Sequence, residues 1–428
     1  MKKAMILLAA LLLAGNLFAG GGGQSGGGGG SAGGPVTLTI WNWDNNVTDI
    51  TIPAFEAAHP NIKIERVAVP AAELPLKVQQ SLAAGLDMPD ILLAELNVRA
   101  QMFSMDIWED LGQAPYNVKK DIFFESTVGL MQNNKGQLIA IDQTLCPTGM
   151  AYKKGLAKQY LGTDDRAALE GMFKSLDDFV TKGAEVARAS GGKVFMFSCP
   201  GFVLDWLGKV NPARLVDSDG SVNFTGKMQG ALEFLIKMRD AGAVDVLESW
   251  SPQDNASYAG DNHIFYTVPN WGVQFMIKAN DPNGQGRWGL MTPPTGAFSW
   301  GGTVQGIYKG SKHKAEVWEY LKWFSFTKEG TDVVKKGTDY FTPIKEFYND
   351  PAYVSNVDPY FGIDTGNYFY KELMPKVVPP TFTQYDNYLA EASNAVAAYI
   401  MSDRSVTLRQ ALAKGIEEMK SRVDVPVK

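Results

Sequence analysis

The chain has 428 residues, with 40 Lys and Arg against 46 Asp and Glu, a net charge of −6. That balance gives no electrostatic support to a nucleic-acid partner or an anionic membrane surface. Two cysteines are too few for a disulfide framework, and the H-x-x-H, C-x-x-C and Walker patterns are absent.

Met1-Lys2-Lys3 followed by A-M-I-L-L-A-A-L-L-L-A is a charged n-region and an apolar h-region, too short to span a membrane. It predicts a secretory signal peptide over 1–19, cleaved after Ala19. No Cys follows the apolar run, which disfavours a lipid anchor. Residues 20–34 are Gly-rich and cannot build a core, so they read as a flexible linker. The remainder, about 390 residues, is ample for two sizeable lobes. Without Lys2 and Lys3 the basic count falls from 40 to 38 against 46 acids, a net charge of −8.

V-T-L-T-I-W (Val36 to Trp41) is an apolar, β-branched run with the pattern of a buried strand. A helix follows, stopped by Pro60 and Asn61, and I-K-I-E-R-V (Ile62 to Val67) alternates like a second strand. L-P-L-K-V-Q-Q-S-L-A-A-G has helical spacing through Leu76, Leu82 and Ala83, with Gly85 as C-cap. M-P-D-I-L-L-A-E gives a third strand. Strand, helix, strand, helix, strand predicts a parallel unit. In such a unit ligands sit beyond the carboxyl ends of the strands, here Trp43 to Asn46 and Glu95 to Asn97.

The aromatic and polar end of the first strand, F-E-A-A-H-P-N-I-K-I-E, and A-A-G-x-x-x-P-D-I together resemble the start of an extracellular solute-binding protein. More narrowly, the stretch is similar to the carbohydrate-binding receptors of ABC importers, the group that includes maltose-binding protein. The resemblance implies an α/β, two-lobe periplasmic-binding-protein fold of type II, each lobe a mostly parallel sheet flanked by helices, with three hinge crossings. It covers nearly all of the chain after the linker. The expected lobes are 36–143 with 302–338, and 149–298 with 342–428.

Further along, Gln137 to Ile141 gives a strand that in this family leads into the second lobe. Ala151-Tyr152-Lys153-Lys154 resembles the family's Y-N-K strand end, with Lys153 in place of Asn. Ser175 is an N-cap with acidic residues in the first turn behind it. Asp219-Gly220 is a hairpin signal. Both V-D-S-D-G-S-V-N-F and Asp281 to Gly286 begin like calcium loops but lack the closing Glu, so no metal is expected. D-N-H-I-F-Y-T-V-P-N-W resembles the family's short strand leading to G-x-W. K-A-E-V-W-E-Y-L-K-W-F-S is amphipathic, with Trp318, Leu321 and Phe324 assigned to core. G-T-D-Y-F-T-P-I would be the third crossing, and Tyr385 to Arg422 reads as two helices.

Secretion would place Cys146 and Cys199 in an oxidising compartment, where one bridge can form; two buried free thiols are the alternative. The resemblance puts both near the cleft of the second lobe.

Ten Trp and 11% aromatic residues are a good supply for stacking on sugar rings, although most of them belong in a core. The expected aromatic contacts are Trp43, Trp206, Trp271, Trp300, Tyr340 and Tyr385. The expected hydroxyl partners are Asn45, Asn46, Glu95, Asn97, Asp142 and Asn270. Aligned family positions support Asn45, Glu95, Asn97, Trp271 and Tyr385 best.

The expectation is therefore an exported, monomeric binding protein, periplasmic or extracellular, without a cofactor or catalytic residues. It would deliver a sugar or oligosaccharide to ABC permease subunits. The competing readings are a secreted glycosidase, which needs two carboxylates at a set separation, and a receptor for a polyamine or glycerol phosphate.

Overall fold

V-T-L-T-I-W-N forms strand β1 (Val36–Asn42) in the computed structural model, which describes residues 34–43, 45–377 and 381–428. The expected signal peptide and nearly all of the linker lie outside the described residues. β1 pairs in parallel with β2 (Ile62–Ala68), from Val36 opposite Ile62 to Asn42 opposite Ala68, and with β3 (Ile91–Glu95) on its other side. Helix α1 (Asn45–Ala58) connects β1 to β2, and α2 (Leu74–Ala84) connects β2 to β3. Gly85 ends α2 at φ +63°, a conformation glycine adopts without a Cβ penalty. The face of α2 is not the expected one. Leu74 and Val78 are buried, whereas Leu76 and Leu82 are exposed.

Beyond β3 the sheet continues with β10 (Thr303–Ile307) and β4 (Ile141–Asp142), in the order β2-β1-β3-β10-β4. β10 runs antiparallel to both neighbours. A strand from far along the chain thus returns to complete the first lobe. Helices Lys314–Phe326 and Lys328–Thr338 follow it and pack on the same core, which includes Phe55, Leu321 and Phe324.

The second lobe is built on β5 (Pro147–Lys153), β6 (Phe195–Phe197), β7 (His263–Pro269), β8 (Trp288–Met291) and β9 (Phe298–Ser299). This sheet was expected to be mostly parallel. Only β6 and β7 pair in parallel; β5 is antiparallel to β7, β8 and β9. β5 brings the chain into the lobe and β8 and β9 take it out, so these strands run in opposite directions.

The helix Leu176–Ala189 opens with a capping box, Ser175 accepting from the Asp178 amide while Asp178 reaches back. Helices Pro200–Val210, Phe224–Asp240, Asp386–Ser402 and Leu408–Lys420 complete this lobe. Among the described residues, no helix is long and apolar enough to cross a membrane.

The chain passes between lobes at 143–146, 300–302 and 339–343. Side chains lock these passages together. Thr144 Oγ1 accepts from the Phe341 amide at 2.9 Å and from Asn270 Nδ2 at 3.3 Å. Arg99, on helix α3 (Leu96–Ser104), is fully buried and donates to the Gly302 carbonyl at 2.8 Å.

Candidate functional site

A cavity of about 430 Å³ opens between the lobes. The first lobe contributes Leu96 and Asn97, at the amino end of α3 just past the carboxyl end of β3. The second lobe supplies the rest of the wall from helix Pro200–Val210, the 249–250 loop, the 295–300 segment and the start of helix Asp386–Ser402.

One end of this wall is aromatic. Trp300 and Trp250 line the cavity with Phe202, which stands edge-on to both at 5.2 Å. Trp271 lies behind, its ring 6.2 Å from that of Trp250 and inclined by 19°. The Trp271 Nε1 donates to the Trp300 carbonyl at 3.1 Å. Gly301, at φ +79°, lets the backbone pass the Trp271 ring: a Cβ there would sit 3.4 Å from it. The indole of Trp250 is 55% exposed and its own backbone is left-handed, φ +65°. Left-handed backbone costs an L-residue about 1–2 kcal/mol.

The other end is ionic. Lys209 pairs with Asp205 at 3.3 Å. Burial pulls its ammonium down, but Asp205, Glu95 and Asp386 outweigh that and hold it above the usual lysine range. Burial raises the Asp386 carboxyl to about 6 against the pull of Lys209 and Lys227. The half-buried Glu95 carboxylate caps α3, accepting from the Asn97 amide at 2.8 Å, and desolvation raises its pKa. Lys209, Lys227 and Lys376 line the cavity with Asp205 and Asp386, and Glu95 lies behind Asn97, so this end carries charges of both signs.

The structure brings Asn97 and Trp300 to the cavity wall, with Glu95 and Trp271 directly behind it. Tyr385 is half-buried and precedes Asp386, a wall residue. Trp43, Asn45 and Asn46 stand at the carboxyl end of β1, on the same sheet edge as Asn97 but outside the cavity wall. Tyr340 is half-buried and meets Phe275 edge-on at 6.1 Å, also outside it.

Three expected contacts are corrected. Trp206 is 1% exposed, packed among Phe179, Phe197 and Phe234, and its Nε1 donates to Thr295 Oγ1 at 3.0 Å. It is core. Asp142 is buried against Arg99 at 3.0 Å, so its oxygens serve the interlobe passage. Asn270 is buried as well, its amide donating to the Asp339 carbonyl at 2.9 Å and to Thr144.

Sequence reasoning missed Trp250, Phe202, Lys209 and Asp386. A signal for Trp250 existed: W-S-P-Q-D places it just before an N-cap Ser and an N1 Pro, outside a helix and therefore near the surface. Cys146 and Cys199 are both free and buried. Burial pushes both thiols up, and Cys199 Sγ donates to Asp254 at 3.0 Å. In the calcium-like stretch, the Asp281 carboxylate is taken by Arg287 and by Trp288 Nε1.

Residues 51–359 match the sequence profile of the family described as bacterial extracellular solute-binding protein. No curated protein sequence matches the chain. Among solved structures, an extracellular solute-binding protein of family 1 superposes with a TM-score of 0.74 at 20% identity, over 90% of this chain and 99% of that one. The galacto-N-biose-/lacto-N-biose I-binding protein of the ABC transporter from Bifidobacterium longum superposes at 0.72 with 18% identity, over 93% and 100%. The GacH receptor of Streptomyces glaucescens does so at 0.71 with 18% identity, over 91% and 99%. At these identities the likeness is one of fold.

Proposed function

The chain belongs to the bacterial extracellular solute-binding proteins, and from that premise we propose that it captures a neutral sugar or short oligosaccharide between its lobes and delivers it to the permease of an ABC importer. The observation that carries this reading is the division of one cavity into an aromatic end and a polar end that holds charges of both signs. Sugar rings present an apolar face, which suits the exposed indole of Trp250 beside Trp300 and Phe202, and hydroxyls, which suit the amide and carboxylate groups opposite. About 430 Å³ lies within the range of small-molecule sites, roughly 300–1,000 Å³. Two of the fold neighbours are seen in complex with ligands of this class, acarbose and lacto-N-biose.

Asn97, Glu95, Trp271, Trp300 and Tyr385 remain the proposed ligand contacts, with Trp250 and Lys209 added. A ligand that also reaches Trp43, Asn45 and Asn46 has to extend past the cavity along the first lobe's sheet edge. We further infer an exported monomer that binds without catalysing. A glycosidase needs two free carboxylates facing the bond to be cut; here Asp205 is paired with Lys209, Asp386 accepts from Thr383 Oγ1 at 3.1 Å, Glu95 is engaged as a helix cap and Asp142 is held by Arg99. Lysines and aspartates side by side on the wall, Lys209 paired with Asp205, argue against a site built for a polyamine or a phosphate ester.

The test is a thermal-shift panel of maltose, lacto-N-biose and β-1,6-galactobiose beside spermidine and glycerol 3-phosphate. A ligand bound only by the folded form raises the melting temperature as its concentration passes its Kd. At least one sugar is expected to do so. A shift with spermidine or glycerol 3-phosphate alone overturns the sugar reading, and turnover of aryl glycosides by the pure protein overturns the non-enzymatic one.

A further inference from the structure

The cleft contains one residue whose conformation is unfavourable and whose neighbours explain why it persists. Trp250 is among three non-glycine residues with positive φ among those described, and a bulky ring in that region is a genuine outlier. Such outliers persist only where surrounding structure over-determines them, and they cluster at ligand sites. The backbone N–H of Trp250 donates to Asp254 Oδ2 at 3.0 Å. The other oxygen, Oδ1, accepts from Cys199 Sγ at 3.0 Å. Cys199 is the N-cap of the helix that carries Phe202 to the cavity wall. One carboxylate thus ties the Trp250 loop to the neighbouring aromatic wall. The loop is also pressed close: a Cβ on Gly201 would lie 2.7 Å from Ser249 Oγ.

We propose that Asp254 is a positioning residue for ligand binding: it holds Trp250 in the left-handed conformation, so that this indole overlies Trp271 and completes the aromatic corner. A plain capping role would account for less. Asp254 is the third residue of helix Pro252–Ala259, and an acid there ordinarily reaches back to the N-cap amide from the surface. Here the side chain is 1% exposed, and it bonds the residue before the N-cap and a thiol of another helix. A buried carboxylate is costly to place, and capping alone requires no such burial. What this placement fixes is the ring, which stands 6.0 Å from Trp300 at 42° and 5.2 Å from Phe202.

The role of Trp250 as ligand contact rests on the sugar reading; the placement of its ring does not. The experiment separates them. Indoles at these distances couple, so the ligand-free protein should show a far-ultraviolet exciton couplet in circular dichroism. Trp250→Gly should reduce the couplet to what Trp271 and Trp300 alone give, their rings standing 5.7 Å apart at 52°, while leaving the melting temperature unchanged or higher, because glycine adopts this φ without strain. It should weaken whichever sugar of the panel binds by about tenfold or more, as loss of an aromatic anchor does. Asp254→Ala should lose the same part of the couplet, and the affinity, to a similar extent, and Asp254→Ala/Trp250→Gly should bind no worse than Trp250→Gly alone. Should Asp254→Ala fail to fold, Asp254→Asn, which keeps the volume and one good acceptor, should show a weakened couplet. An unchanged couplet in the Asp254 variants overturns the positioning role, as does a Trp250→Gly protein that melts well below the parent. If the parent binds none of the sugars, the sugar reading fails, and the couplet still decides whether Asp254 places the ring.

Discussion

Truncating Trp271 to alanine removes a half-buried ring that backs the cavity wall and bonds the Trp300 carbonyl. It should cost binding about 2 kcal/mol or more, the range of an aromatic anchor. Trp206→Ala should instead cost about 3–5 kcal/mol of folding stability, because it empties a fully buried site, and leave the affinity of the folded fraction unchanged. Calorimetric titration beside denaturant unfolding checks both; the roles are reversed if Trp271→Ala loses stability and keeps affinity. The supply of indoles and the strand leading to Trp271 were legible in the sequence. Which indole faced inward was not, because Trp206 sits on a helix with apolar residues on nearly every side, Val203, Leu204 and Leu207 among them. A third residue has a pH signature. Lys153 is buried with its ammonium donating to the Ser257 carbonyl at 2.8 Å, and desolvation lowers its pKa from 10.5 to about 7. The unfolded chain therefore holds this proton more tightly. Lys153 should make stability rise as pH increases from about 7 toward 10.5. Unfolding curves of Lys153→Met across that range should lose this rise; an equal rise in both proteins would mean that Lys153 is charged in the folded state.

At the level of elements, existence was easier to read than orientation. The helix α2 and its glycine cap follow from spacing and composition, but its leucines support more than one apolar face. Val78 faces the core at 0% exposure and Leu76 faces solvent at 57%. Val78→Ala should therefore destabilise by about 1–3 kcal/mol, while Leu76→Gln should stay within about 0.5 kcal/mol of the parent. Chemical denaturation of the two variants measures this directly, and equal losses would mean that α2 sits rotated from the face described. The second sheet shows the same asymmetry. Its strands are visible as apolar runs, whereas their directions depend on the chain having to enter through β5 and leave through β8. That constraint belongs to the path between lobes and leaves no mark in the periodicity of either strand.

For the whole molecule, the two-lobe α/β architecture was expected from the family resemblance, and the strand that arrives late in the chain, Thr303–Ile307, joins the first sheet. The contacts that join the passages were not legible, since they link residues far apart in sequence: Arg99 with Asp142 and Gly302, Thr144 with Phe341. Arg99 and Asp142 are both buried, and removing one partner of such a pair leaves a charge without compensation. Arg99→Met, which leaves the Asp142 carboxylate unpaired, should cost about 3–5 kcal/mol. Replacing both, Arg99→Met/Asp142→Leu, should cost little, since apolar side chains avoid the desolvation that the pair suffers. Burial pushes the Asp142 carboxyl up from 3.8 to about 6, although Arg99 pulls the other way. The folded state thus binds this proton more tightly than the unfolded chain. Its contribution to stability is present below pH 3.8 and is lost as pH rises through about 6. The double variant should lack that decline. Denaturant unfolding at several pH values distinguishes the cases: if the double variant is as unstable as Arg99→Met, the loss comes from packing in the passage between the lobes, and the charge pair is not what holds α3 to it.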